Sequence, residues 1–325
     1  MVKYNFLKYS KEMYNVWNSF VITAKNSTFL FQRDYMDYHS DRFDDYSIMV
    51  FDSNNLIAVL PANLKGDKLY SHQGLTYGGL VFTKELKFRI VSEIFKQLLA
   101  YLSDLKIEVL QLNLLPDFYS RYGNNEIEYL LFLSEAKLLD KRALSVINLK
   151  SSFIFSKNRL EGYKRGVKHG LLLRFDDKIE DFWKEILLPN LENKYQSKPV
   201  HTLEEIVSLK NKFPDNIIQV NIYRGKEIVA GTTLFISKNV VKTQYISGNS
   251  ENNSLGSLDY LIYKLLNDFF EENYYFDFGT SSSNNKGQIN KGLYYWKEGF
   301  GARTITQDIY EVNTNNYKLL NNILV

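Results

Sequence analysis

With no cysteine in 325 residues, thiol nucleophiles, disulfides, thiolate metal sites and iron–sulfur clusters are ruled out. The four histidines, His39, His72, His169 and His201, form no i,i+4 pair, and neither HExxH nor a run of clustered carboxylate ligands occurs. No bound metal is expected. GxxxxGK[ST], GxGxxG and GxSxG are also missing, which removes P-loop, dinucleotide-binding and hydrolase-elbow chemistry and leaves no permanently bound cofactor to expect. What remains is a loop that leads into a helix. The strand ending Gln244-Tyr245-Ile246-Ser247-Gly248 is followed by a small-residue loop in which Ser254 and Ser257 flank Gly256. Consecutive backbone N–H groups at a helix start can seat a pyrophosphate, although Ser and Gly there serve equally as a plain cap. The next strand, YYFDFG, puts Phe276 and Phe278 on one face and Asp277 on the other. A carboxylate at a strand end beside a phosphate-type loop makes a candidate reaction centre; the same carboxylate can cap the turn Gly279-Thr280-Ser281.

The elements that must position these groups read as a doubled unit. Around Tyr46 the chain alternates as YSIMVFD, turns at Ser53-Asn54-Asn55, continues as LIAVLPANL, turns again at Lys65-Gly66-Asp67-Lys68 and enters LYSH. The same order recurs as IIQVNIY, EIVAGTTLFIS and VVKTQYIS, with Tyr46 opposite Ile217 and Ile57 opposite Ile228. A small-residue loop follows each meander, HQGLTYGG in the first copy and GNSENNSLGS in the second. An amphipathic helix and a strand come next in both, with Ile90, Ile94, Phe95, Leu98, Leu99 and Leu102 answering Leu258, Leu261, Ile262, Leu265, Leu266 and Phe269. A repeat of this length is too long for a solenoid and predicts two α/β (α+β) domains, residues 1–150 and 151–325, each a mixed, mainly antiparallel sheet flanked by helices. The second carries a helical segment at about 177–212, in which Leu188-Pro189-Asn190 and Lys198-Pro199 should interrupt any long helix.

Charge narrows the partners. There are 40 Lys and Arg against 37 Asp and Glu, a net +3, so no broad field exists to hold DNA or an anionic membrane. One local exception is the stretch with Lys157, Arg159, Lys164, Arg165, Lys168 and Arg174, where only Glu161 is acidic; it reads as a solvated helix or as a phosphate-facing edge. The N-terminus breaks every apolar stretch with a polar residue, and no membrane span or leader is read, which with the absence of cysteine points to the cytoplasm.

The order of strands, loop, helix, strand and final helix resembles the GNAT acyltransferase fold, and the pair of copies resembles the tandem arrangement of FemAB-like proteins. The stretches that carry this are Y38-HSDRF-D44, S71-HQGLTYGG-L80, K198-PVHTLEEI-V207, K242-TQYIS-G248, L258-DYL-I262, Y275-FDFGTS-S282 and N290-KGLYYWKEGFG-A302. Within that group the likeness is to sugar N-acyltransferases, which implies acyl-CoA as co-substrate and the amine of a nucleotide-linked (dTDP or UDP) deoxyamino sugar as acceptor, for surface polysaccharide. The loop Glu251-Asn252-Asn253-Ser254-Leu255-Gly256 keeps only the last position of the family's phosphate motif, and Gln73-Gly74-Leu75-Thr76-Tyr77-Gly78 keeps both ends without the middle Gly.

On that resemblance the acceptor amine is deprotonated by Asp277 or His72, Tyr294 or Tyr295 returns a proton to sulfur, and backbone N–H near Ser247 holds the oxyanion. Tyr245, Ser247, Gly248, Ser254, Gly256, Ser257, Asn290 and Lys297 would line coenzyme A. Gln73 and Tyr77 would meet the acceptor's nucleotide, and Arg165 and Lys168 its phosphates. His72, Tyr77 and the Tyr294–Trp296 run also read as packed core. Two other readings stay open: a Fem-type transferase taking its amino acid from aminoacyl-tRNA for a cell-wall precursor, and a noncatalytic sugar-binding module. A tandem pair completes its own cleft, so a monomer is expected.

Overall fold

The computed structural model describes residues 3–270, 272–282 and 288–324. Two compact units divide the chain: Met1–Arg142 with Thr306–Val325, and Ala143–Ile305. A contiguous split near residue 150 differs from this because the last twenty residues return to the first unit. They do so by hydrogen bonding, since Ile309 to Asn313 pair antiparallel with Asn113 to Val109.

In chain order the first unit contains β1 (Asn5–Lys8), α1 (Tyr14–Thr23), α2 (Arg33–Met36), β2 (Asp44–Asp45), β3 (Ile48–Asp52), β4 (Asn55–Leu60), β5 (Asn63–Lys65), β6 (Lys68–Tyr70), β7 (Val81–Phe82), α3 (Phe88–Asp104), β8 (Val109–Asn113), α4 (Glu126–Leu133) and the start of β9 (Lys137–Asn148). The second has α5 (Lys157–Lys168), β10 (Leu172–Phe175), α6 (Ile179–Phe182), α7 (Leu188–Tyr195), α8 (Leu203–Lys212), β11 (Ile217–Arg224), β12 (Glu227–Ile236), β13 (Val240–Gly248), α9 (Asn252–Leu255), α10 (Ser257–Asp268), β14 (Tyr275–Thr280), α11 (Lys291–Glu298) and the start of β15 (Arg303–Asn313).

The second unit's strands pair in the order β10-β11-β12-β13-β14-β9, all antiparallel except β13 with β14. The first unit has a four-stranded antiparallel sheet, β1-β3-β4-β7, and a run β15-β8-β6-β5-β2 whose one parallel pair is β6 with β8. Each unit therefore has two parallel strands joined through a helix, β6 and β8 through α3 and β13 and β14 through α10, with β7 and α9 on the intervening loops. The helices behave as their periodicity requires. On α3, Val91, Ile94, Phe95, Leu98, Leu99 and Leu102 are buried, and on α10, Leu261, Ile262, Leu265 and Leu266.

Two details depart from expectation. Pro61-Ala62 divides the predicted LIAVLPANL strand, and β4 and β5 join different strand sets. Pro189 does not end its helix, because Trp183–Leu187 form a π-helical stretch between α6 and α7. Shifting the hydrogen bond from i−4 to i−5 just before Pro189 removes the need for the N–H that proline lacks. α8 starts on a capping box, with Thr202 Oγ1 accepting from Glu205 N–H at 3.2 Å and Glu205 Oε2 from Thr202 N–H at 2.8 Å.

Candidate functional site

The second unit's site begins where two parallel strands separate. β13 and β14 pair only over Val240–Lys242 and Tyr275–Asp277, after which they diverge. A register shift between Thr233 and Leu234 on β12 leaves Gln244 as an extra residue on β13, and that bulge sits on the strand just past the last pair. Bulge and divergence together open a fork.

Three charged side chains meet there. Lys242 and Asp277 are the last paired residues, and their Nζ and Oδ2 lie 3.7 Å apart. Asp277 is almost fully buried and accepts the Gly279 N–H at 2.6 Å, so it caps the turn that ends β14. Lys297, 4% exposed, reaches from α11 to the carbonyls of Gly279 at 3.1 Å and Thr280 at 2.8 Å. Burial pushes the Lys297 ammonium down to about 8, with Asp277 opposing and Lys242 adding to the shift. Two acceptors serve an ammonium with three N–H groups. On the strands around the fork, the side-chain oxygens of Thr243, Gln244, Ser281 and Ser145 are buried without a hydrogen-bond partner among the described residues. Such atoms cost free energy unless something bound satisfies them.

The helix start that was expected to seat pyrophosphate is closed by the protein itself. α5 packs across it at glycine distance: a Cβ on Gly256 would overlap the Gly162 carbonyl, one on Gly162 would lie 2.6 Å from Asp259 Cβ, and one on Gly166 would lie 2.6 Å from Tyr260 Cβ. Gly162 and Gly166 thus serve helix packing, as does Gly256, which adopts φ +67. Asn252 Oδ1 accepts the Leu258 N–H and the Ser257 hydroxyl, both at 2.9 Å. Asp259 adds a carboxylate to the first turn, fixed by Arg159 at 2.6 Å and by the Trp296 indole N–H at 2.9 Å, while burial raises its pKa. An anion already occupies the favourable end of the helix dipole. Gly256 and Ser257 are thus engaged within the protein, and Ser254 is exposed and bonds to the Glu251 carbonyl at 2.8 Å.

Most of the other expected cofactor contacts are also spent. The Tyr245 hydroxyl pairs with His201 Nδ1 at 2.6 Å and accepts the His201 backbone N–H at 3.2 Å, and burial pushes its pKa up to about 12. Ser247 Oγ accepts from Asn190 Nδ2 at 2.8 Å, and the same amide bonds to the Gly248 carbonyl. Asn290 Oδ1 caps α11 through the Leu293 N–H at 3.0 Å. Tyr294 is half-buried against the Thr304 hydroxyl, and Tyr295 is exposed. Arg165 and Lys168 face solvent on α5.

In the first unit, β6 and β8 diverge likewise, but the loop after β6 folds back. Gly78 N–H donates to Asn113 at 2.6 Å and bridges to Leu114. Tyr77 is core, packed on Phe31 and Tyr119. Gln73 is tied to Asn63 by two bonds of 2.8 and 3.0 Å. His72 is 4% exposed and stacked on His39, and burial drives its pKa down to about 3. An imidazole that weakly basic is no general base near neutral pH.

The residue types and spacing assigned no site role to Lys242, Asn190, Asn252 or Asp259, and Arg159 entered only as part of a basic stretch. One signal was present for Lys242, the single charged residue in the strand VVKTQYIS.

This is a Fem-type fold, with the strand fork best formed in the second unit. Among solved structures the chain is similar to FemX at TM-score 0.65 and 9% identity, covering 97% of this chain and 99% of that one. It is also similar to a protein described as the C-terminal domain of a lysylphosphatidylglycerol synthetase from Agrobacterium fabrum (TM-score 0.61, 10% identity, 96% of both chains) and to L-PGS from Bacillus licheniformis (0.59, 12%, 96% of both). No family of known proteins matches the sequence, and no curated protein does. At these identities the likeness establishes the fold. No helix among the described residues is long and apolar enough to cross a membrane.

Proposed function

We propose that the chain is an N-acyltransferase of Fem type, transferring an aminoacyl group from aminoacyl-tRNA to the amine of a nucleotide-linked amino-sugar precursor of the cell surface. The observation that carries this reading is the fork with Lys297 buried beside it, combined with a helix start sealed by α5. The amine's lone pair attacks the ester carbonyl, the bond from carbon to the ribose oxygen breaks, and that oxygen takes up the proton the amine loses. A buried ammonium at the fork stabilises the oxyanion that forms between these events. Asp277 and Lys242 fix the local charge and the turn that Lys297 grips. The RNA's phosphates have a surface in the exposed Lys164, Arg165 and Lys168, which lie on the helix that excludes a pyrophosphate.

The sequence resemblance favours a second donor, acyl-CoA acting on a nucleotide-linked deoxyamino sugar. That carrier would need to seat its pyrophosphate away from α10. Parallel assays separate the two: transfer of a labelled amino acid from aminoacyl-tRNA to nucleotide-linked amino sugars, and thiol release from acetyl-CoA with the same acceptors. Transfer without thiol release is expected. Thiol release with micromolar coenzyme A binding, about −8 kcal/mol, would replace the first donor by the second, and neither product would leave the noncatalytic reading.

A further inference from the structure

The first unit holds a cavity of about 260 Å³ just beyond the last β6–β8 pair, Tyr70 with Gln111. The rest of its wall is made mainly by His72, Leu75, Arg142 and Ile309. Ser71 and Asn113 also border it, but their polar groups are occupied: Ser71 Oγ accepts the Asn113 N–H at 2.9 Å, Asn113 Nδ2 donates to Thr76 at 2.9 Å, and its Oδ1 accepts from Gln307 at 3.0 Å.

Two of the remaining polar groups, on His72 and Arg142, are donors. His72 sits at φ +62, a left-handed conformation that a residue with a Cβ adopts at a cost, and such strain collects at binding sites. Gly74 N–H donates to its Nδ1 at 3.3 Å, which puts the imidazole proton on Nε2. Because burial keeps this ring neutral, it is a constant donor across the physiological range. Arg142 uses Nε on Asp140 at 3.3 Å, and its two terminal nitrogens have no partner among the described residues. The Gln111 side-chain amide has no partner among the described residues either. Tyr70, Leu75 and Ile309 supply the apolar wall.

We propose that this cavity binds one pyranose ring bearing a carboxylate, a sugar acid. The planar guanidinium of Arg142 matches a carboxylate through two parallel N–H groups. The Gln111 amide and the His72 Nε2–H reach ring hydroxyls, and the aromatic and aliphatic wall covers the C–H face of the sugar. Its volume falls just below the range of pockets for drug-sized ligands and suits a single ring. The site lies wholly in the first unit and is read by binding alone, so it goes beyond the transfer reading and can fail or survive without it.

The test is calorimetry on the full chain with D-glucuronate, D-glucose and inorganic phosphate as separate probes. Glucuronate should bind at millimolar concentration or tighter, with glucose at least about ten-fold weaker, as expected for losing a charge-assisted pair. Arg142→Gln, at a half-exposed position, should lose the preference for glucuronate while its thermal unfolding stays in place. Gln111→Leu should weaken both sugars and serves as the second variant if the first unfolds. Absence of glucuronate binding, an Arg142→Gln affinity within about two-fold of the parent's, or phosphate binding as tightly as glucuronate would overturn the proposal. Loss of aminoacyl transfer with glucuronate binding intact would count against the transfer reading only.

Discussion

Gly162→Ala isolates the close approach of α5 to α10. In an exposed helix the change should stabilise by about 1 kcal/mol, because alanine is the better helix former. Here the new Cβ would lie 2.6 Å from Asp259 Cβ and overlap the Asp259 carboxylate, so one helix must move. Overpacking of this kind costs about 1–3 kcal/mol. Moving Asp259 also stretches its bonds to Arg159 and Trp296, and hydrogen bonds to a charged group contribute about 1.5–3 kcal/mol each. Partial loss of these outweighs the propensity gain and leaves a net destabilisation of about 2–4 kcal/mol. In urea, with a slope of about 2–3 kcal/mol per molar, the midpoint should fall by about 1 M. Gly170→Ala is the comparison: φ is +66 and nothing lies within 4 Å, so only backbone strain of about 1–2 kcal/mol is expected. If Gly162→Ala matched or exceeded the parent's stability, the glycine-distance contact, and with it the sealed helix start, would be wrong.

Other consequences follow from the buried charges and the basic helix. Lys297 titrates near 8 when folded against 10.5 when free, so between those values the unfolded chain binds more protons and stability should rise with pH. Lys297→Met should remove that rise in urea midpoints measured from pH 8 to 10; parallel curves would refute the assignment. His72 acts with the same sign at lower pH, because its folded pKa of about 3 also lies below the free value, here 6.5. Stability should therefore fall as pH drops through that interval, by up to about 1.4 kcal/mol per pH unit, and an unchanged acid limb in His72→Gln would argue against it. Alanine at Lys164, Arg165 and Lys168 should weaken tRNA binding and lower the slope of log affinity against log salt by about 2–3. An unchanged slope would place the RNA elsewhere.

What the sequence made legible was periodicity and order. Helical spacing of Leu261, Ile262 and Leu265 marked α10, and alternation around IIQVNIY and VVKTQYIS marked the strands, because burial of one face imposes those repeats directly. The fork could be anticipated from strand order, and Asp277 and Lys297 both fall at it. The function of Gly256 was not legible, since glycine at a helix start is equally required by a phosphate and by another helix pressing on it. Only the tertiary position of Gly162 decides between them. Tyr77 and Tyr245 misled for a related reason: an aromatic in a loop or strand end carries the same letter whether it stacks on a ligand or on Tyr119 or Trp183. Pro189 was read as a helix breaker because a π-helical stretch has no signature in residue type.

Single-turnover transfer from aminoacyl-tRNA, compared between the parent chain and Lys297→Met, tests the central claim most directly. Loss of a preorganised charge at the oxyanion predicts transfer slower by about 100-fold or more, with tRNA affinity unchanged. A Lys297→Met variant that transfers as fast as the parent, or a parent that transfers nothing, would contradict the account.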